Sequence, residues 1–163
     1  MSDPMRERAL MEAMEKHRHR VFRLAVSCLR RRADAEDVLQ EVFLKYYRFA
    51  PEFADDEHEK AWILRVTVNA CRSLLRAPWK RFWLPVPENV SAEETPGGLW
   101  LIALVHRLPP QHAMAIHLHY YEDYSVKEIA EILRVPEGTV KSRLARARSR
   151  LKEMIEEEEK MNG

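Results

Sequence analysis

Between Arg134 and Lys152 the chain carries seven basic residues (Arg134, Lys141, Arg143, Arg146, Arg148, Arg150 and Lys152) against one acid, Glu137. Cations at that density either neutralise a polyanion or keep a helix in solution, and their spacing bears on which. Val140, Leu144, Ala147 and Leu151 recur at intervals of 4, 3 and 4, a helical stripe suited to burial. Ser142, Ala145, Arg146 and Ser149 then point directly away from the core. Lys141 and Arg148 lie along one margin of that strip, Arg143 and Arg150 along the other. Small and hydrogen-bonding groups between two rows of cations suit a helix in a DNA major groove, where the centre meets base edges and the margins grip phosphates.

A second basic stripe runs through Trp62, Arg65, Asn69, Arg72 and Arg76, spaced 3, 4, 3 and 4, beside the apolar Ile63, Val66, Ala70 and Leu74. An amide among cations next to an indole suits single-stranded nucleic acid, whose backbone charge is held while an unstacked base is captured. Trp62 fits the core better than a stacking role; Asn69 is the base-reading candidate. Seven histidines raise the question of a metal, but His17 and His19, like His117 and His119, are two apart and diverge on a helix. His106, His112 and His117 are left as a possible meeting in space. No Ser/His/Asp, Cys/His or phosphate-loop signature points to an enzyme, and no metal or cofactor is expected.

The elements that must position these residues are helices. Met14, Val21, Leu24 and Cys28 mark a first one, and Val38, Leu39, Val42, Phe43 and Tyr46 a second. A third opens after Asp55-Asp56, with Asp56 and Glu59 spaced as a capping box, and runs to Arg76 before Pro78 stops it. From Pro78 to Gly98 there are four prolines and a Gly-Gly pair, which no helix crosses, and Trp79, Phe82 and Trp83 are unusual for a free tether. Further helices are expected near 99–107, 110–121, 125–133 and 136–158. Ser125 and Glu128 form a capping box, and a four-residue break from Arg134 to Glu137 leads into the basic helix. A short capped helix, a tight turn and a basic helix make a helix-turn-helix. The expected fold is all-α: a helical domain over 1–77, a linker over 78–98 with few contacts across it, and a helix-turn-helix domain over 99–163.

The 163 residues are 46% hydrophobic and 33% charged, with a formal charge of +1. That average conceals opposed blocks. Lys16 to Arg32 holds seven basic residues and no acid, Asp34 to Glu59 nine acids against Lys45 and Arg48, and Lys60 to Arg81 six basic residues and no acid. Alternating surfaces of opposite sign suggest several partners. Cys28 and Cys71 lie in apolar context without a second thiol pair, which suits a reducing, cytosolic compartment. The amino terminus lacks a signal-peptide core, and no apolar run reaches membrane-spanning length.

Several segments resemble a known family. Leu108-Pro109-Pro110, Tyr121-Glu122-Asp123-Tyr124-Ser125, Glu128-Ile129-Ala130 and Pro136-Glu137-Gly138-Thr139-Val140-Lys141-Ser142-Arg143 are similar to the fourth region of bacterial RNA polymerase sigma factors of the extracytoplasmic-function group. Asp34-Ala35-Glu36-Asp37-Val38-Leu39-Gln40-Glu41-Val42-Phe43 and Ala61-Trp62-Ile63-Leu64-Arg65-Val66-Thr67-Val68-Asn69-Ala70 resemble the second region. Arg134 departs from the pattern, since relatives commonly carry Gly or Asn there; in a left-handed conformation it costs about 1 kcal/mol.

The resemblance implies a promoter-specificity subunit without catalysis of its own. The second helix would dock on the β′ clamp of core RNA polymerase through Asp37, Gln40, Glu41 and Leu44, with the β flap as a further contact. The third helix would help melt the downstream element through Trp62, Arg65, Asn69, Arg72 and Arg76, holding a base of the non-template single strand, with the loop 50–58 as the pocket's other wall. Lys141, Ser142, Arg143, Ala145, Arg146, Arg148, Ser149 and Arg150, with Ser125 and Lys127, would bind the upstream element as duplex. An anti-sigma factor is implied as a partner; the free protein is expected to be a cytoplasmic monomer without membrane insertion. Two other classes fit parts of the pattern. A stand-alone helix-turn-helix regulator would need an effector or phosphoacceptor domain in the first half, and 34–76 looks like neither. A histidine-dependent metal hydrolase would carry stoichiometric metal.

Overall fold

Asp3 and Pro4 start the first helix, α1 (Pro4–Cys28): the Asp3 carboxylate accepts from the Met5 amide at 3.0 Å, and Pro4 has no N–H to leave unpaired. The computed structural model describes residues 3–77 and 104–162, and among these there is no strand. Helix α2 (Arg32–Phe49) turns back on α1, and α3 (Asp56–Leu75) packs on both, closing a three-helix bundle. Val21, Leu24, Val38, Val42, Ile63, Leu64 and Val68 fill its centre at 0% exposure, so each spends its whole apolar surface on the core.

Two details of α3 differ from the expectation. Its cap is Asp55, which accepts from the His58 amide at 2.8 Å, while His58 Nδ1 accepts from the Ala54 amide at 3.1 Å. Glu59 is withdrawn from capping because its carboxylate is taken by buried groups. The helix also buries a second stripe, Leu64, Thr67, Val68 and Cys71, beside Ile63 and Ala70. The covered face of α3 is therefore wider than one stripe: α1 and α2 pack on it from its own half, and the other half of the chain touches it as well.

That half comprises α4 (Pro110–Ile116), which widens into a π-turn at His117–Tyr121, then α5 (Val126–Leu133) and α6 (Glu137–Asn162). Leu104 and Val105 are helical; the rest of the expected 99–107 helix and the expected linker 78–98, with Trp79, Phe82 and Trp83, lie outside the described residues. Helix α5 carries the expected capping box, Ser125 Oγ accepting from the Glu128 amide at 3.1 Å and Glu128 Oε1 from the Ser125 amide at 3.0 Å. It ends on Arg134 at φ 55°, ψ 51°, the left-handed conformation that turns the chain into α6.

The halves are packed together, contrary to the expectation of few contacts. Helix α1 touches α4 and the π-turn, and α3 touches α5. Leu24, Ala25, Val26, Ser27, Cys28 and Leu29 are all buried, six in succession, which requires protein on every side of the end of α1.

Candidate nucleic-acid interface

On α6 the buried stripe is Val140, Leu144 and Ala147, with Leu151 part-buried. Ser142, Ala145, Arg146 and Ser149 face solvent, and so do Lys141, Arg148 and Arg150 on the margins. Arg148 donates to the Tyr120 hydroxyl at 2.8 Å and Arg150 to Glu153 at 3.1 Å, so both are held beside the strip. Arg143 alone is half-covered, with one guanidinium nitrogen shielded and unpartnered. Ser125 and Lys127 are exposed at the start of α5, where Ser125 is engaged as the cap. An exposed centre of small side chains between cations, on the second helix of a capped helix-turn-helix, fits the width of a major groove.

Along α3, Asn69 and Arg76 are exposed, while Arg65, Arg72 and Trp62 are part-covered. Trp62 packs edge-on against Tyr46 and Phe53, at centroid distances of 5.9 and 5.8 Å, so the loop before α3 is closed over the indole. Arg65 donates to the Glu131 carbonyl at 3.4 Å. The Arg72 guanidinium is pushed below its ordinary value by burial first, then by Arg143 and Arg76. On α2, Asp37, Gln40 and Leu44 are exposed and Glu41 is half-exposed, its carboxylate 3.2 Å from Lys45.

Sequence reasoning missed a polar chain beneath these surfaces. Tyr46 donates to Glu59 Oε2 at 2.9 Å, and His17 Nε2–H to Glu59 Oε1 at 2.8 Å. His17 Nδ1 in turn accepts from Arg20 at 2.6 Å, which fixes the neutral tautomer. Burial lowers the His17 pKa against the raising effect of Glu59. Arg20 Nε also donates to Glu122 Oε2 at 3.0 Å, and Lys60 approaches the same oxygen at 3.2 Å. His17, Glu59, Lys60 and Glu122 carry no periodic signal of their own; helical wheel positions facing one another across α1 and α3 were the available clue. Both cysteines are free and buried, and the Cys71 thiol pKa is raised well above its ordinary value, by its hydrogen bond with Cys28 first and by burial second. Among the described residues no three metal-ligating side chains cluster. No described helix is long and apolar enough to cross a membrane.

Three helices, the second with an exposed acidic face and the third with a stripe of cations, joined to a helix-turn-helix, are the make-up of a two-part nucleic-acid-binding protein. Residues 13–81 match Sigma-70 region 2 and residues 98–151 match Sigma-70, region 4. The chain is 34% identical over 154 residues to the ECF RNA polymerase sigma factor SigM of Mycobacterium tuberculosis, covering 90% of this chain and 77% of that protein. It is 28% identical over 186 residues to the ECF RNA polymerase sigma-E factor of Escherichia coli, covering 96% and 97%. In fold it is similar to the sigma factor RpoE of Bartonella quintana, solved in complex with the anti-sigma factor NepR: TM-score 0.71, 22% identity, 92% of this chain and 96% of that one. CnrH, solved with the cytosolic domain of CnrY, superposes with a TM-score of 0.65 at 23% identity, over 92% and 89%. The chain belongs to the extracytoplasmic-function sigma factors, and its function is promoter-specific initiation of transcription with core RNA polymerase.

Proposed function

We propose that the work of initiation is divided between residues 1–77 and 99–163 as follows. The α6 strip Ser142, Ala145, Arg146 and Ser149 reads base edges of the upstream promoter element, while Lys141, Arg143, Arg148 and Arg150, with Ser125 and Lys127, hold its phosphates. Asn69 captures a base of the non-template strand as the downstream element opens, with Arg65, Arg72 and Arg76 on the backbone and Trp62 shaping the wall beside it. Asp37, Gln40, Glu41 and Leu44 form the docking face for the β′ clamp, and the β flap of core polymerase is a further contact. The chain has no catalysis of its own and acts in the cytoplasm, with an anti-sigma protein as its inhibitor. The observation that carries this reading is the exposed, cation-edged strip of α6 on a turn whose cap is intact.

Run-off transcription by purified core polymerase, with and without the chain, is the direct test: promoter-dependent transcripts should appear only with it. A stand-alone regulator would instead stimulate holoenzyme and leave core inactive.

A further inference from the structure

Two pairs of arginines from opposite halves of the chain face one seam. Arg72 lies in the last turn of α3 and Arg76 is its cap residue, while Arg143 and Arg146 are a turn apart on α6. Residues at these spacings are neighbours on a helix surface, so each pair forms a short row of guanidiniums. Charge couples the rows. Burial first, then Arg143 and Arg76, push the Arg72 guanidinium below its ordinary pKa, and burial first, then Arg146 and Arg143, do the same to His112 on α4. Coulombic effects of this kind need proximity, so groups from three helices meet here.

No acid answers them. Neither shift is offset by a carboxylate, and among the described residues none pairs with Arg72, Arg76, Arg143 or Arg146. Arg20 and Lys60, by contrast, share Glu122, and Arg150 has Glu153 at 3.1 Å. Packing adds to the deficit: one guanidinium nitrogen of Arg143, and Nε of Arg65 two turns before Arg72, are shielded from water without an acceptor. Cations that give up water and gain no acid lack a counter-charge, which has to come from outside the chain. Guanidiniums take phosphate oxygens two at a time in a planar fork. One phosphate group satisfies one row, and facing rows call for a compact anion with several. A DNA backbone presents its phosphates in single file, so it loads a row rather than both rows at once.

We propose that the seam between α3 and α6 is a binding site for a linear triphosphate group, free or carried by a nucleotide, held by Arg72 and Arg76 from one half and by Arg143 and Arg146 from the other, with His112 beside them. The site itself does not depend on the promoter assignments. Its consequence rests on them: the same four arginines are the proposed promoter contacts, so a triphosphate seated there competes with DNA phosphates for their charge.

The test is calorimetric titration of the full-length chain with inorganic tripolyphosphate at about 0.15 M salt, where diffuse attraction is screened within about 8 Å. One anion should bind per chain, about tenfold tighter than orthophosphate, and Arg72→Gln and Arg143→Gln should each weaken it about fivefold or more. Arg6→Gln with Arg8→Gln removes two exposed charges from the start of α1, about 30 Å of helix away from Cys28, which hydrogen-bonds Cys71 beside Arg72. That control should leave the affinity unchanged. Arg143→Gln takes away a repelled charge and is expected to fold; should it not, Arg146→Gln removes the exposed member of the same row. ATP binding as tightly as tripolyphosphate supports a nucleotide-borne group, and ATP about tenfold weaker supports the free inorganic chain. Several equivalent anions per chain, an equal loss in the α1 control, or full affinity in Arg72→Gln overturns the proposal. Displacement of a mixed-sequence duplex by saturating tripolyphosphate reads the competition separately: if the promoter assignments fail, that displacement is lost while the titration stands.

Discussion

Arg146 and Arg148 are two residues apart and both exposed, yet on the proposed reading they would face different parts of the duplex. Arg146 stands in the centre of the strip, where the proposed docking would bring a guanidinium to base edges; Arg148 stands on the margin, tied to Tyr120 at 2.8 Å. Arg146→Ala should therefore cost about 1–3 kcal/mol of discrimination at one or two positions of the upstream element. Arg148→Ala should weaken matched and mismatched sequences alike and reduce the salt dependence of binding. Fluorescence anisotropy on a set of single-base variants checks both, and equal losses on every sequence for Arg146→Ala would mean the wrong face was assigned. Asn69 is the corresponding residue on α3, exposed between Arg65 and Arg72. Asn69→Ala should leave core binding and upstream recognition intact and lower open-complex formation. Since a pre-melted bubble removes the need to unpair but not to hold the base, it should restore only part of the loss. Permanganate footprinting on duplex and bubble templates reads this, and wild-type opening would reduce Asn69 to a solvated position.

At the scale of the element, periodicity and capping were legible because each lies within one helix. The strip on α6, the Ser125–Glu128 box and the outward face of α2 all follow from spacing along a single axis. Glu59 was misread as a capping residue because the sequence cannot reveal that His17 and Tyr46 reach its carboxylate from other helices, at 2.8 and 2.9 Å. Arg134 was legible as a departure, and it adopts φ 55°. Arg134→Gly should stabilise the fold by about 1 kcal/mol, since glycine reaches that conformation without a Cβ clash and the exposed side chain contributes little packing. Urea denaturation measures it, and a loss of stability would show that Arg134 makes contacts that outweigh its backbone strain. His117, stacked 4.8 Å from the Tyr121 ring centroid, is pushed by burial from 6.5 down to about 4. The folded chain keeps it neutral while the unfolded chain protonates it below its ordinary value. Stability should therefore fall as the pH drops from about 6.5 to about 4, by about 3 kcal/mol from this group when fully developed. His117→Gln should flatten that slope, and an unchanged slope would assign it to His17 and His106, which burial shifts in the same direction.

For the whole molecule, the Pro/Gly-rich stretch made independent halves the natural expectation, because composition reports the tether and not what the tethered parts do when they meet. The six consecutive buried residues Leu24–Leu29 were the mark of a shared core, since a helix facing one core keeps part of each turn wet. That run includes Ser27 and Cys28, whose side chains turn back to the Leu24 carbonyl at 2.7 and 3.4 Å and so lose their polarity to the backbone. With α1 buried against both halves, and Arg20 bound to Glu122 across 102 positions of chain, the two regions should unfold as one unit. Scanning calorimetry of the full chain should show a single transition whose calorimetric and van't Hoff enthalpies agree. In a double-mutant cycle, Arg20→Ala and Glu122→Ala should be non-additive by about 1–3 kcal/mol, because either change alone leaves the partner charge buried and the second then costs less. Independent halves would instead give two transitions, with Glu122→Ala shifting only the one belonging to α4–α6 and Arg20→Ala only the other. Additive losses within a single transition would locate the cohesion in the apolar contacts of Leu24–Leu29 and leave the Glu122 pairs without energetic weight.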